Sequence, residues 1–192
     1  MRLNPIPFWF LRHGETDWNA EGRSQGRTDI PLNAVGRAQA ERAARTLAPV
    51  PIATIVASPL SRALVTARTV AAQFNLPVRT DEDLQEVSFG EQEGLPMGDW
   101  YQDWTDGLMT PPGGESFAAL RDRTVAAINR ATALPGPVLV VAHGALWRAF
   151  RAEAGLEANI RTPNALPLFA EPPAPGAAAW TLTALPLAAE TV

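Results

Sequence analysis

Three short apolar runs constrain this 192-residue chain more than any other feature: PFWFL at Pro7–Leu11, ATIVA at Ala53–Ala57 and VLVV at Val138–Val141. Each is too short for a buried helix, and none alternates apolar with polar residues. Such runs read as strands covered on both faces, the habit of parallel sheets. Stretches with a helical period separate them. Asn33 is placed to cap a helix running to Ala48, and Pro49 and Pro51 stop it. Ser58 and Pro59 are placed as N-cap and first helical residue of SPLSRALVTARTVAAQF, which Asn75–Pro77 breaks. Ser116 heads FAALRDRTVAAINRATA, ended by Pro135–Pro137, and ALWRAFRAEA follows His143 and stops at Gly155. Val78–Thr80 and Ala179–Leu185 are further strand candidates, while Arg12–Pro31 reads as a loop and Pro163–Gly176 as an irregular Pro-rich stretch. This alternation predicts an α/β fold, a three-layer α/β/α domain with a mostly parallel central sheet. Residues 1–192 read as one domain with an inserted lid segment at about 91–114, weakly helical around Gly98–Gly107.

Composition removes several chemistries. The apolar fraction of 46 % supports a real core. There is no cysteine, which excludes disulfides, thiolate catalysis and thiolate-bound zinc. All 16 basic residues are arginine, which excludes a lysine Schiff base and a lysine-bearing phosphate loop. A net charge of −4 gives no basic footprint for nucleic acid. Met1–Pro7 lacks the apolar run of a signal peptide, and no stretch approaches the roughly 20 apolar residues of a membrane span. The expectation is a cytoplasmic protein without nucleic-acid or membrane partners. A homodimer is compatible with the sequence, which does not decide the oligomeric state.

The chain has only two histidines, His13 and His143, and each ends an apolar run as His-Gly. In open α/β sheets, ligands bind outside the carboxyl ends of strands, where both pairs fall. A lone histidine at such a place is more often a satisfied structural residue. A second one in the same setting turns the reading towards function. Arg12 offers a planar fork of donors to an anion, and nearby cations keep an imidazole neutral and nucleophilic. Gly14 removes bulk where a ligand approaches, and Asn19 adds an amide donor. His143 precedes a helix whose N-terminus favours anions. Arg62 lies in the first turn of another helix, where a cation is unfavourable unless it faces an anion. Cleavage of a phosphate ester needs a proton for the leaving oxygen, and a carboxyl group beside phosphate holds its proton more readily. Glu86, Glu91 and Glu93 all qualify, and spacing alone does not choose among them.

The blocks LRHGETDWNAEGRSQGRTDIPLNAVGRAQA, ASPLSRALVTA, LQEVSFGEQEG, PGGES and VVAHGALWRA run in order from about Leu11 to Ala149. They resemble the ordered motifs of the histidine phosphatase superfamily, in its phosphoglycerate-mutase-like branch. The resemblance implies that His13 is the nucleophile and becomes phosphohistidine, with Arg12, Arg62 and His143 binding the phosphoryl group. Asn19 matches a loop amide that also contacts it. Glu86, within L-x-E-x-x-F-G-x-x-E-G, matches the proton donor and later helps to activate water. Gln25 and Gly26 lie where the family's loop approaches the ligand, and the N–H of Gly144 joins the pocket. No metal and no cofactor are implied, because arginines and imidazoles already supply positive charge.

The family contains phosphatases and mutases. From Asp81 to Leu120 there is no Arg or Lys, and carboxylates are dense. An acidic, aromatic lid carrying Trp100, Tyr101 and Trp104 would repel a second carboxylate or phosphate on the substrate. The aromatics fit ordinary packing equally well. The expected activity is hydrolysis of a small phosphorylated metabolite. The alternatives are mutase-type phosphotransfer and a catalytically weak module that binds phospho-ligands.

Overall fold

The computed structural model describes residues 2–189; Met1 and residues 190–192, included in the single-domain expectation, lie outside the described residues. Its centre is a six-stranded sheet. The strands are β1 (Phe8–Arg12), β2 (Thr54–Ala57), β3 (Val78–Thr80), β4 (Val138–Ala142), β5 (Pro167–Glu171) and β6 (Thr181–Ala184), in the order β3-β2-β4-β1-β5-β6. The first four in that order run parallel, and β5 and β6 are antiparallel additions on one side. The helices are α1 (Asp17–Ala20), α2 (Ala34–Leu47), α3 (Ser61–Phe74), α4 (Trp100–Thr105), α5 (Phe117–Thr132) and α6 (Gly144–Glu153).

Strand periodicity divides the core into two layers. Phe8 and Phe10 of β1, with Val138, Val140 and Ala142 of β4, pack against residues of α4, α5 and α6. Their alternates Leu11, Leu139 and Val141 pack against α2 and α3. Both faces of the central strands are therefore covered, which is why their sequences are apolar throughout. On one face Trp147 stacks on Phe10 with ring centroids 3.8 Å apart and on Phe150 at 4.4 Å.

Local signals act where expected at two helix starts. Asn33 Oδ1 accepts the Gly36 N–H at 2.8 Å, and Ser116 Oγ accepts that of Ala119 at 3.1 Å. The third start differs. Helix α3 begins at Ser61 after Leu60, so Pro59 is not its first residue and Ser58 is not its cap. The Ser58 N–H instead donates to the Val141 carbonyl at 3.0 Å, which continues the β2–β4 pairing by one residue. The loop after β1 also holds a short helix, α1, closed by a capping box between Thr16 and Asn19. The Pro-rich stretch contains β5, which the sequence reading leaves irregular. Proline is tolerated at a strand's first residue, and Pro167 occupies that place. Residues 91–114 wrap α4 onto the body of the fold. Trp104 is fully buried between Phe89 and Phe117, so that aromatic is core and not part of a lid surface. No helix among the described residues is long and apolar enough to cross a membrane.

Candidate active site

Parallel register brings the two histidines together. Arg12 pairs with Ala142 across β1 and β4, and the His13 N–H donates to the Ala142 carbonyl at 3.0 Å. The residue after each strand is therefore a histidine on adjacent strands, and their rings lie 5.2 Å apart. Ser58 occupies the equivalent place beyond β2, on the other side of β4. Its Oγ meets His143 Nε2 at 2.7 Å.

Beside these ends opens a cavity of about 380 Å³. Arg12, His13, Asn19, Gln25, Gly26, Arg62, Glu86 and Gly144 line it. His143 is fully buried behind this wall, packed against His13. Eight of the nine residues that the family resemblance assigns to the site thus face one space, and the ninth backs it.

The hydrogen bonds assign atoms. His13 Nδ1 lies 2.6 Å from the Gly14 carbonyl, which can only accept, so Nδ1 carries the proton and the Nε2 lone pair is free. Burial, then Arg62, then Arg12, lower the His13 pKa well below its ordinary value, so the ring is neutral at pH 7. His143 is held neutral by burial first, then by Arg62 and by His13. Ser58 Oγ also accepts the Leu60 N–H at 3.3 Å and keeps a proton and a second lone pair, so it can serve His143 Nε2 in either tautomer. The other ring nitrogen of His143, Nδ1, is buried without a partner. His13 thus offers the cavity a defined lone pair.

Cations frame the pair. Arg62 is fully buried, and its Nη2 and Nη1 donate to the Gly26 and Thr28 carbonyls at 2.7 and 2.9 Å. Arg12 Nη1 donates to the Thr162 carbonyl at 2.6 Å. The Nε atoms of both arginines are buried and unpartnered. Burial lowers the Arg12 pKa to about 10, which leaves it a cation at neutral pH. Asn19 Oδ1 is occupied by the Thr16 N–H and by Asn164 Nδ2, so its own amide nitrogen is the group left for a ligand.

Geometry separates the three glutamates. Glu86 accepts the N–H groups of Val87, Ala145 and Leu146, each at 3.0 Å, and lines the cavity at the start of α6. It leaves the Gly144 N–H as the unclaimed donor there. Glu93 instead ties down the loop beneath Arg62 by accepting the N–H groups of Arg27 and Thr28 at 3.0 Å. Glu91 is exposed.

Two expectations are corrected here. Gly14 does not make room for a ligand: an added Cβ would sit 2.2 Å from the Gly36 carbonyl oxygen, so the glycine serves a backbone contact with α2. The carboxylates of the acidic stretch do not line the cavity either, apart from Glu86; the stretch reaches it otherwise through Phe89, Met97 and Tyr101. Asp81 and Asp83 pair with Arg130, and Glu115 pairs with Arg123 at 2.6 Å. The cavity wall carries three further arginines, Arg23, Arg148 and Arg161. The spacing within HGALWR could have found Arg148, which lies four residues after Gly144 on one helical face. Arg123, Asn164 and Thr66 give no such signal. Arg123 holds the backbone carbonyls of Asp83, Gln85 and Glu86, Asn164 donates to the His13 carbonyl at 2.9 Å, and Thr66 accepts the Gly14 N–H at 3.1 Å.

Two neutral buried imidazoles make stability depend on pH. Their folded pKa values lie below the unfolded value, so the unfolded chain binds more protons as pH falls below about 6.5. Stability therefore declines on acidification from that point, by up to about 1.4 kcal/mol per pH unit for each histidine. Urea midpoints between pH 6.5 and 5 are expected to fall more steeply in the wild type than in a His13→Asn/His143→Asn double variant. Equal slopes would show that the folded protein binds these protons as readily as the unfolded chain.

Among the described residues, no group of three or more His, Cys, Asp or Glu side chains is arranged to hold a metal ion. The family model for the histidine phosphatase superfamily (branch 1) matches residues 8–169. The "Uncharacterized phosphatase PhoE" of Bacillus subtilis (strain 168) is 37 % identical over 145 residues, covering 74 % of this chain and 74 % of that protein. The "Probable phosphoglycerate mutase GpmB" of Proteus mirabilis (strain HI4320) is 35 % identical over 150 residues, covering 72 % and 70 %. Among solved structures, mycobacterial glucosyl-3-phosphoglycerate phosphatase Rv2419c with VO3 superposes with a TM-score of 0.80 at 31 % identity, covering 92 % of this chain and 97 % of that one. By its motifs, its sheet and these likenesses, the chain belongs to branch 1 of the histidine phosphatase superfamily.

Proposed function

We propose that the protein is a phosphomonoester hydrolase working through a phosphohistidine on His13. The observation that carries this reading is the His13 ring itself. It is neutral, fixed in one tautomer by the Gly14 carbonyl, and set on the cavity wall between two arginines. The Nε2 lone pair attacks phosphorus, and the bond from phosphorus to the leaving oxygen breaks. Glu86 gives that oxygen its proton. Arg12, Arg62, His143, the Asn19 amide and the Gly144 N–H stabilise the charge on the transferred group. Gln25 and Gly26 shape the loop around it: Gln25 accepts the Thr16 hydroxyl at 2.9 Å, and the Gly26 carbonyl accepts from Arg62. Water then attacks the phosphohistidine and gives a proton to the Glu86 carboxylate as the P–N bond breaks. No step calls on a metal or a cofactor.

Mutase-type transfer stays as the second reading, because Arg23, Arg148 and Arg161 give the cavity a cationic outer part that can retain an acidic product. One experiment separates the two. The protein is mixed with a radiolabelled phosphomonoester and quenched in alkali and in acid, and free phosphate and transferred phosphate are counted. The hydrolase predicts alkali-stable, acid-labile label on the protein and phosphate release far above transfer. Transfer exceeding release would establish the mutase, and absence of labelled protein during turnover would end both readings. Turnover in the presence of a strong chelator is expected to match the untreated rate.

A further inference from the structure

Beyond the residues around the transferred group, the cavity wall has a second charged feature. Gly144, Ala145 and Arg148 share one face of α6, so Arg148 stands one turn, roughly 5 Å, farther along the helix from the histidines. Its Nη1 donates to the Tyr101 hydroxyl at 2.6 Å, and its guanidinium lies 4.6 Å from the centre of the Tyr101 ring. Its Nε is buried and unpartnered. Tyr101 is itself 6 % exposed. Because its oxygen accepts from Arg148, its own proton is free to donate. Burial pushes the Tyr101 pKa up to about 12, so that proton stays on at neutral pH.

Arg161 completes the group. It lines the cavity next to Thr162, whose carbonyl holds Arg12, and neither Arg148 nor Arg161 has an ion-pair partner among the described residues. Arg23 differs, since it is paired with Glu21 at 2.7 Å. Two guanidiniums and a buried hydroxyl donor thus face a space whose only carboxylate is Glu86, already committed to three backbone N–H groups.

We infer that Arg148, Arg161 and the Tyr101 hydroxyl form a second anion subsite, which selects phosphomonoesters whose leaving alcohol carries its own carboxylate or phosphate. The subsite refines the proposed hydrolase reading and rests on it for the placement of the leaving group. It reverses the expectation that an acidic segment rejects such substrates. The guanidinium forks match either anion, and they bind it before any chemistry occurs.

The test compares phosphoglycolate, propanediol bisphosphate and the uncharged amide analogue glycolamide phosphate. The wild type is expected to have a kcat/KM at least tenfold higher for one or both acidic substrates than for the amide. Arg161→Gln, an exposed position that the fold does not require, is expected to cut that selectivity ratio at least fivefold, mainly through KM. Arg148→Gln is expected to cut it further. The same ligands are titrated by calorimetry into His13→Ala protein, which reads the subsite without chemistry. Phosphoglycolate preferred over the amide marks a carboxylate site, and the bisphosphate alone preferred marks a phosphate site. If nothing is hydrolysed yet the acidic ligands bind preferentially, the hydrolase reading fails and the subsite stands. Equal kcat/KM and equal affinity across the three ligands, or an Arg161→Gln variant with an unchanged ratio, would overturn the subsite.

Discussion

His13→Ala is expected to leave less than about one part in ten thousand of the wild-type kcat towards an aryl phosphate. An aryl phosphate is the right probe because its leaving group needs little protonation and no second anion. The loss then reports the nucleophile alone. The size follows from what the ring supplies: a neutral lone pair, already desolvated, between Arg12 and Arg62. An alanine leaves those cations in place, so phosphate is still bound but nothing attacks it. Added imidazole should restore part of the rate, because the vacated volume has the shape of the missing ring. Ser58→Ala is expected to lose only about tenfold to a hundredfold, since it removes the hydrogen-bond partner that orients the His143 ring and not a group that touches phosphorus. Retention of more than a hundredth of the wild-type kcat in His13→Ala would remove His13 from the chemistry. Circular dichroism must confirm an unchanged fold in either case.

The convergence of the two His-Gly pairs was legible because it depends on few variables. Each histidine follows a strand buried on both faces, and a parallel sheet puts the carboxyl ends of such strands on one side. The neighbour relation was not legible. Nothing in the residues says that β4 lies between β2 and β1, yet that order sets Ser58, His143 and His13 side by side. Periodicity likewise gave the helices but not the start of α3, where the Ser58 backbone is drawn into the sheet. Strand β5 escaped because its flanking prolines resemble those of a loop.

The charges were the least legible part. From Asp81 to Leu120 the sequence is acidic, and proximity along the chain suggested an acidic wall. Electrostatics acts through space. Asp81 and Asp83 pair with Arg130, forty-odd residues away, Glu115 pairs with Arg123, and Glu93 accepts the backbone N–H groups of residues 27 and 28. The cations that face the cavity, Arg12, Arg23, Arg62, Arg148 and Arg161, all lie outside that stretch. A count of charges per segment gives the field of a segment only when its side chains are unpaired, and here Asp81, Asp83 and Glu115 are ion-paired.

Gly14→Ala is expected to cost about 3 kcal/mol of stability or more and to lower kcat with it. The added Cβ would lie 2.2 Å from the Gly36 oxygen and 2.8 Å from its carbonyl carbon, both backbone atoms that cannot swing aside. Gly36→Ala should behave alike, because its Cβ would sit 2.0 Å from the Glu15 oxygen. Relief requires β1's exit loop and α2 to part. The Gly14 N–H would then leave Thr66, and its carbonyl would leave His13 Nδ1. The imidazole would lose the acceptor that fixes its tautomer, so activity should fall even in molecules that remain folded. Gly22→Ala provides the contrast. Its φ of +70° strains any side chain, but nothing lies within 4 Å of the new atom, so the cost should be on the order of 1 kcal/mol with kcat preserved. Urea denaturation and steady-state kinetics on the three variants separate the effects. If Gly14→Ala proved as mild as Gly22→Ala, β1's exit loop and α2 could separate freely, and the tautomer of His13 would need another support.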